Sequence, residues 1–107
     1  MELTREEVDS LRGFVVLEFG ASWCGFCKAA RPVVDQMLAA RPDIRRIWIE
    51  DGKGQRLGRS FGVKLWPTLI FLCDGRVVAR VVRPRNHGDL DQALLSFEAC
   101  TSSSPQP

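Results

Sequence analysis

A nearly unbroken apolar run, Phe14-Val15-Val16-Leu17-Glu18-Phe19, stands just before two cysteines separated by two residues, Cys24 and Cys27. A strand with one wet face alternates apolar and polar side chains. Apolar residues at consecutive positions instead suit a strand covered on both sides, as in the parallel part of an α/β sheet. Helices must therefore lie on both faces of this run. Glu18 interrupts it. By alternation Glu18 shares a face with Val16 and Gly20, so in a central strand its carboxylate is buried, where desolvation disfavours its charge and makes it a candidate proton acceptor. In a half-exposed strand it faces water, and the residues alone leave the two readings open.

The next stretch, Gly20-Ala21-Ser22-Trp23-Cys24-Gly25-Phe26-Cys27-Lys28, runs into a helical pattern in which Ala30, Val33, Val34, Met37 and Leu38 form one apolar stripe, with Pro32 predicting a kink. A helix beginning at Cys24 puts both sulfurs on one face, near enough to open and close a disulfide with little backbone movement. Cys24 then lies in the first turn, where unpaired N–H groups and the helix dipole favour a thiolate, and Lys28 adds charge one turn on. Cys24 is thus the expected nucleophile and Cys27 the expected resolving thiol. A zinc site needs four ligands, and the remaining candidates, Cys73, Cys100 and the single histidine His87, are isolated. A purely structural bridge between Cys24 and Cys27 would close too small a loop to constrain the unfolded chain. Cys73 and Cys100 read as small, semi-buried side chains, and His87 as a solvated helix-start residue.

Around this centre the chain reads in order. Thr4-Arg5-Glu6-Glu7 has the form of a capping box and predicts a short helix from Arg5 to Leu11. Ile44 to Ile49 reads as a second buried strand with Trp48 at its face, and Gln55 to Phe61 as a short polar helix. The glycines between them, Gly52, Gly54 and Gly58, lack the spacing of a phosphate-binding loop. Thr68 to Leu72 reads as a third strand. Asp74-Gly75 predicts a hairpin into an antiparallel strand from Arg76 to Val82, an edge strand guarded by charge. Asn86 caps a last helix with Leu90, Ala93, Leu94 and Phe97 on its apolar stripe, and residues 101–107, rich in Ser and Pro, read as a disordered tail after a domain of residues 1–100.

At 107 residues there is room for one core, and a net charge of +2 without a clustered basic face gives no push toward nucleic acid. Met1-Glu2-Leu3-Thr4-Arg5-Glu6-Glu7 is acidic where a signal peptide is basic, and no run is long enough to span a bilayer. Read as a complete chain, the sequence points to the cytoplasm. In a reducing compartment a close cysteine pair is more often catalytic or metal-binding than structural.

A strand ending in an acid, Trp23-Cys24-x-x-Cys27-Lys28 opening a helix, a Trp66-Pro67-Thr68 strand start, a glycine turn and a final helix together resemble the thioredoxin family over Val15 to Phe97. The resemblance implies an α/β thioredoxin-like fold: a central mixed sheet of about four strands, ordered Ile44–Ile49, Val15–Phe19, Thr68–Leu72, Arg76–Val82, flanked by helices, with the family's first strand missing or very short. It implies a cis Pro67 packed against the cysteines, a Trp66 backbone free to pair with an extended substrate, and Glu18 as the buried acid that takes the proton of Cys27. Trp23, Gly25, Phe26, Trp66, Pro67 and Thr68 would line the substrate groove. The implied activity is reduction or exchange of protein disulfides, by a monomer with no bound cofactor or metal, re-reduced by a thioredoxin reductase. Rival readings are a non-catalytic thioredoxin-like binding module and a metal-binding protein. Four departures from the family pattern stand out. Phe26 replaces a proline between the cysteines, which predicts a more oxidising couple, and Glu18 replaces an aspartate. Trp66 replaces a smaller aliphatic residue, and Arg83 replaces a glycine lining the docking groove.

Overall fold

The structure is a computed structural model and describes residues 3–103. Four strands, β1 (Phe14–Gly20), β2 (Ile44–Glu50), β3 (Thr68–Cys73) and β4 (Arg76–Val82), form one sheet in the order β2-β1-β3-β4. β1 runs parallel to β2 and antiparallel to β3, and β4 returns antiparallel to β3. Four helices, α1 (Arg5–Asp9), α2 (Gly25–Ala39), α3 (Arg56–Ser60) and α4 (Gly88–Ser103), complete the fold.

The apolar run dictates a two-sided core. Val16 packs with Val34 and Met37 of α2, Leu90, Ala93 and Phe97 of α4, and Leu69 and Phe71 of β3. Val15, Leu17 and Phe19 pack on the opposite face with Val8 of α1, Leu57 of α3, Phe61 and Ile70. The period of two along β1 thus assigns odd residues to the α1/α3 layer and even ones to the α2/α4 layer. Glu18 is even and buried, so it sits under α2.

Local signals explain the joints. Thr4 and Glu7 form the reciprocal capping box, and α1 ends at Asp9, two residues earlier than predicted. Asp74 and Gly75 take φ of 50° and 81°, the left-handed pair that a tight hairpin turn requires. A side chain on Gly75 would also collide with the Asp9 carbonyl, at 2.0 Å from its Cβ. Asn86 Oδ1 accepts from the Asp89 N–H at the start of α4. The α4 helix continues through Ser103, so the first three residues of the expected tail are helical, and residues 104–107 lie outside those described.

Two expectations need correction. β2 is not buried: it is an outer strand with Arg45, Arg46, Trp48 and Glu50 exposed, because parallel pairing with β1 occupies only one of its edges. Nor are Cys73 and Cys100 lone thiols. They form a disulfide that ties the end of β3 to α4, and both are buried.

Candidate active site

The site is built where β1 hands over to α2. Cys24 has extended dihedrals, φ −80° and ψ 121°, and is the N-cap of α2 rather than a member of its first turn. Its sulfur takes the place that a serine or aspartate oxygen takes in an ordinary cap, accepting the Cys27 N–H at 3.2 Å. Negative charge on that sulfur meets an N–H donor and the positive end of the helix. The two thiols are free and both buried. Burial, followed by the hydrogen bond with Cys24, pushes the Cys27 thiol from an ordinary value of 9.0 up to about 11. The nearby Glu18 charge acts in the same direction.

Gly20 explains how Cys27 fits. A Cβ there would lie 2.7 Å from both Cys27 Sγ and Trp48 Cη2, so only glycine lets the thiol and the indole close over the strand end. Glu50 fixes this lid: Oε1 accepts from Trp48 Nε1 at 3.2 Å and Oε2 from the Ser22 N–H at 3.0 Å. Glu18 is buried as the family resemblance implied, yet it is not isolated. Arg46 Nε donates to its Oε1 at 2.8 Å, and Arg46 Nη1 reaches Asp35 of α2 at 2.5 Å.

On the other side of the cysteines, the Trp66-Pro67 bond is cis. The Trp66 indole donates to the buried Asp51 carboxylate at 2.9 Å and meets Trp23 edge to face at 5.4 Å. Trp23 and Phe26 stand out at 65% and 57% exposure, the apolar rim of the site. Gly25 is also exposed and has open space where a Cβ would be. Pro67 is buried, and Thr68 is 1% exposed with its hydroxyl donated to the Leu65 carbonyl. Thr68 therefore braces the turn. The Trp66 carbonyl is not free either: Arg83 Nε donates to it at 2.8 Å, and Cys24 Sγ lies 4.0 Å from the same oxygen.

Sequence reasoning missed Gly20, Trp48, Arg46 and Asp51. The one available signal was Gly20, a glycine closing an otherwise bulky strand. The metal reading fails on geometry. Cys73 and Cys100 are bonded to each other, His87 Nε2 faces Gln36 Oε1 at 2.8 Å, and among the described residues no group of three or more His, Cys, Asp or Glu is placed to hold an ion.

A capping thiol over a buried partner thiol, flanked by a cis-proline and an apolar rim, defines a thiol-disulfide oxidoreductase. Comparison with known proteins narrows the class. The Thioredoxin family model matches residues 3–96. Curated thioredoxins from Chlamydia muridarum and Listeria monocytogenes are 37% and 32% identical, covering 80% and 85% of this chain and 84% and 89% of their own. The solved structure of reduced thioredoxin 2 from Pseudomonas aeruginosa PAO1 superposes with a TM-score of 0.81 at 48% identity, over 92% of this chain and 91% of that one. The chain belongs to the thioredoxin family.

Proposed function

We propose that this oxidoreductase reduces disulfides of protein substrates through Cys24 as nucleophile and Cys27 as resolving thiol. The observation that carries the assignment is the Cys27 N–H held 3.2 Å from Cys24 Sγ while the Cys27 thiol keeps its proton up to about pH 11. Only Cys24 is then equipped to attack first. Its thiolate forms a bond to one substrate sulfur as the substrate S–S bond breaks, and the departing thiolate takes a proton from solvent. Cys27 next gives up its proton and attacks Cys24 Sγ. The enzyme disulfide forms, the mixed disulfide breaks, and the second substrate thiol leaves. The net change is one substrate disulfide reduced and one enzyme dithiol oxidised.

Glu18 is the proposed proton acceptor. It lies two residues before Gly20 on the face that Cys27 covers, about 7 Å along the strand, and its charge acts on the Cys27 thiol. Trp23, Phe26 and the Trp66-Pro67 edge receive the substrate, with Gly25 leaving the approach to Cys24 open. Regeneration requires an external dithiol donor; by family likeness this is a thioredoxin reductase, working on the monomer in the cytoplasm. No helix among the described residues is long and apolar enough to cross a membrane.

Insulin reduction with each single Cys→Ser variant tests the roles. Cys24→Ser is expected to be inert, whereas Cys27→Ser accumulates a mixed disulfide with insulin that gel shift and mass spectrometry detect. Trapping by Cys24→Ser instead would reverse the assignment, and a wild type that reduces no insulin would leave only a binding module.

A further inference from the structure

Arg83 is the most conspicuous group near the cysteines that the exchange reaction does not use. It is a non-glycine residue at φ 52°, a conformation that side chains other than glycine rarely adopt, held by its N–H bond to the Pro67 carbonyl at 3.0 Å. Its guanidinium carbon lies over the Phe26 ring, 3.7 Å from the centroid, while Nε donates to the Trp66 carbonyl. Among the described residues it forms no ion pair. Beside it runs a groove of about 450 Å³ floored by Phe26, Ala30, Val82 and Pro84, whose lining carries two guanidiniums, Arg83 and Arg85, and no carboxylate.

The Trp66 oxygen lies 4.0 Å from Cys24 Sγ, so a substrate sulfur that reaches Cys24 brings its own backbone to that oxygen. A substrate N–H that bonds there takes the second lone pair of that oxygen, beside Arg83 Nε. The guanidinium is then covered by the docked chain, and covering a cation that has no ion-pair partner is costly unless an anion meets it. We propose that Arg83 is a specificity-determining residue that selects disulfide segments carrying an Asp or Glu next to the reacting cysteine. The side chain donates to the Trp66 oxygen through Nε and serves as the carboxylate's partner in the complex. Charge complementarity commits the groove to an acidic segment, with the adjacent Phe26 ring orienting the fork for a bidentate contact. This inference rests on the disulfide-exchange reading of Cys24 and Cys27.

The test uses two disulfide-linked peptides, identical except for Glu or Lys beside the cysteine, with kcat and KM measured for the full chain and for Arg83→Ala and Arg83→Glu. The wild type is expected to favour the Glu peptide by about five- to tenfold in kcat/KM, mainly through KM, with the ratio shrinking as salt is raised. Arg83→Ala brings the ratio near one, and Arg83→Glu inverts it, a result that loss of folding does not produce. A wild-type ratio near one, or a preference that survives in Arg83→Ala, overturns the role of Arg83. Failure of the wild type to reduce either peptide overturns the exchange reading itself.

Discussion

Arg46 on the outer strand β2 reaches beneath α2 to pair with the buried Glu18 on the central strand, Nε to Oε1 at 2.8 Å. Side-chain exposure is 32% for Arg46 and 3% for Glu18, so the pair is asymmetric: a partly wet cation meets a buried carboxylate. Removing Arg46 leaves a buried charge uncompensated.

Arg46→Ala is therefore expected to destabilise the protein by about 1–3 kcal/mol, less than for a fully buried pair because the guanidinium is partly wet. The double variant Glu18→Leu/Arg46→Leu is expected to recover most of that loss in urea denaturation while slowing disulfide exchange. A double variant as unstable as the single one would show that the pair is not what the site depends on.

Reduced protein should lose stability in alkali. The folded Cys27 thiol titrates near pH 11, against an ordinary 9.0 that applies once the chain unfolds. Below pH 9 both states hold the proton and this group has no pH effect. From 9 to 11 the unfolded chain releases it while the native state keeps it, so stability falls as pH rises. Urea midpoints of reduced protein across this window, compared with Cys27→Ala, check the sign: the slope should be shallower in the variant.

Gly58→Ala inverts the usual helix rule. Alanine normally improves a helix position by about 1 kcal/mol. Here the added Cβ would lie 2.4 Å from Asp51 Oδ1, on the carboxylate that holds the Trp66 indole and the Gln55 N–H. A net loss of about 1–3 kcal/mol is expected, with a change in tryptophan fluorescence. A gain in thermal midpoint would contradict the packing described.

Cys73→Ala/Cys100→Ala should cost about 3 kcal/mol by releasing a loop of 27 residues, in the chain-entropy account of disulfides. Insulin reduction by the folded variant should persist, because Cys73 pairs with Phe14 at the start of β1 and Cys24 follows its far end, about 20 Å away. Chemical denaturation and the insulin assay, run side by side, separate the two effects.

What the sequence disclosed was set by range. The capping box of Thr4 and Glu7, the Asp74-Gly75 hairpin and the Cys24/Cys27 pair are local, and each depends on residues within a few positions. The two-sided core of β1 was legible because every residue but Glu18 in the run is apolar. The thioredoxin resemblance added the strand order and the cis proline, which no local pattern contains. The misses in helix ends, at Asp9, Cys24 and Ser103, are local shifts of a few residues, whereas the missed pairings are long-range. Arg46 and Glu18 are 28 residues apart, Cys73 and Cys100 27, and Arg83 and Trp66 17, and each meets its partner only through strand register or the packing of α4. The outer position of β2 escaped for the same reason: Ile44, Ile47 and Ile49 suggest burial, and only the topology leaves Arg45, Trp48 and Glu50 in water.

The disulfide between Cys73 and Cys100 changes how electrons and thiols must be counted. The working dithiol form carries two titratable sulfurs and two spent ones, so a colorimetric thiol assay on native, catalytically competent protein reads two per chain, whereas the composition promises four. A stoichiometry of four signals over-reduction, with the clamp on α4 lost. A preparation that reads zero still contains intact fold, because only the turnover pair has been withdrawn from the count.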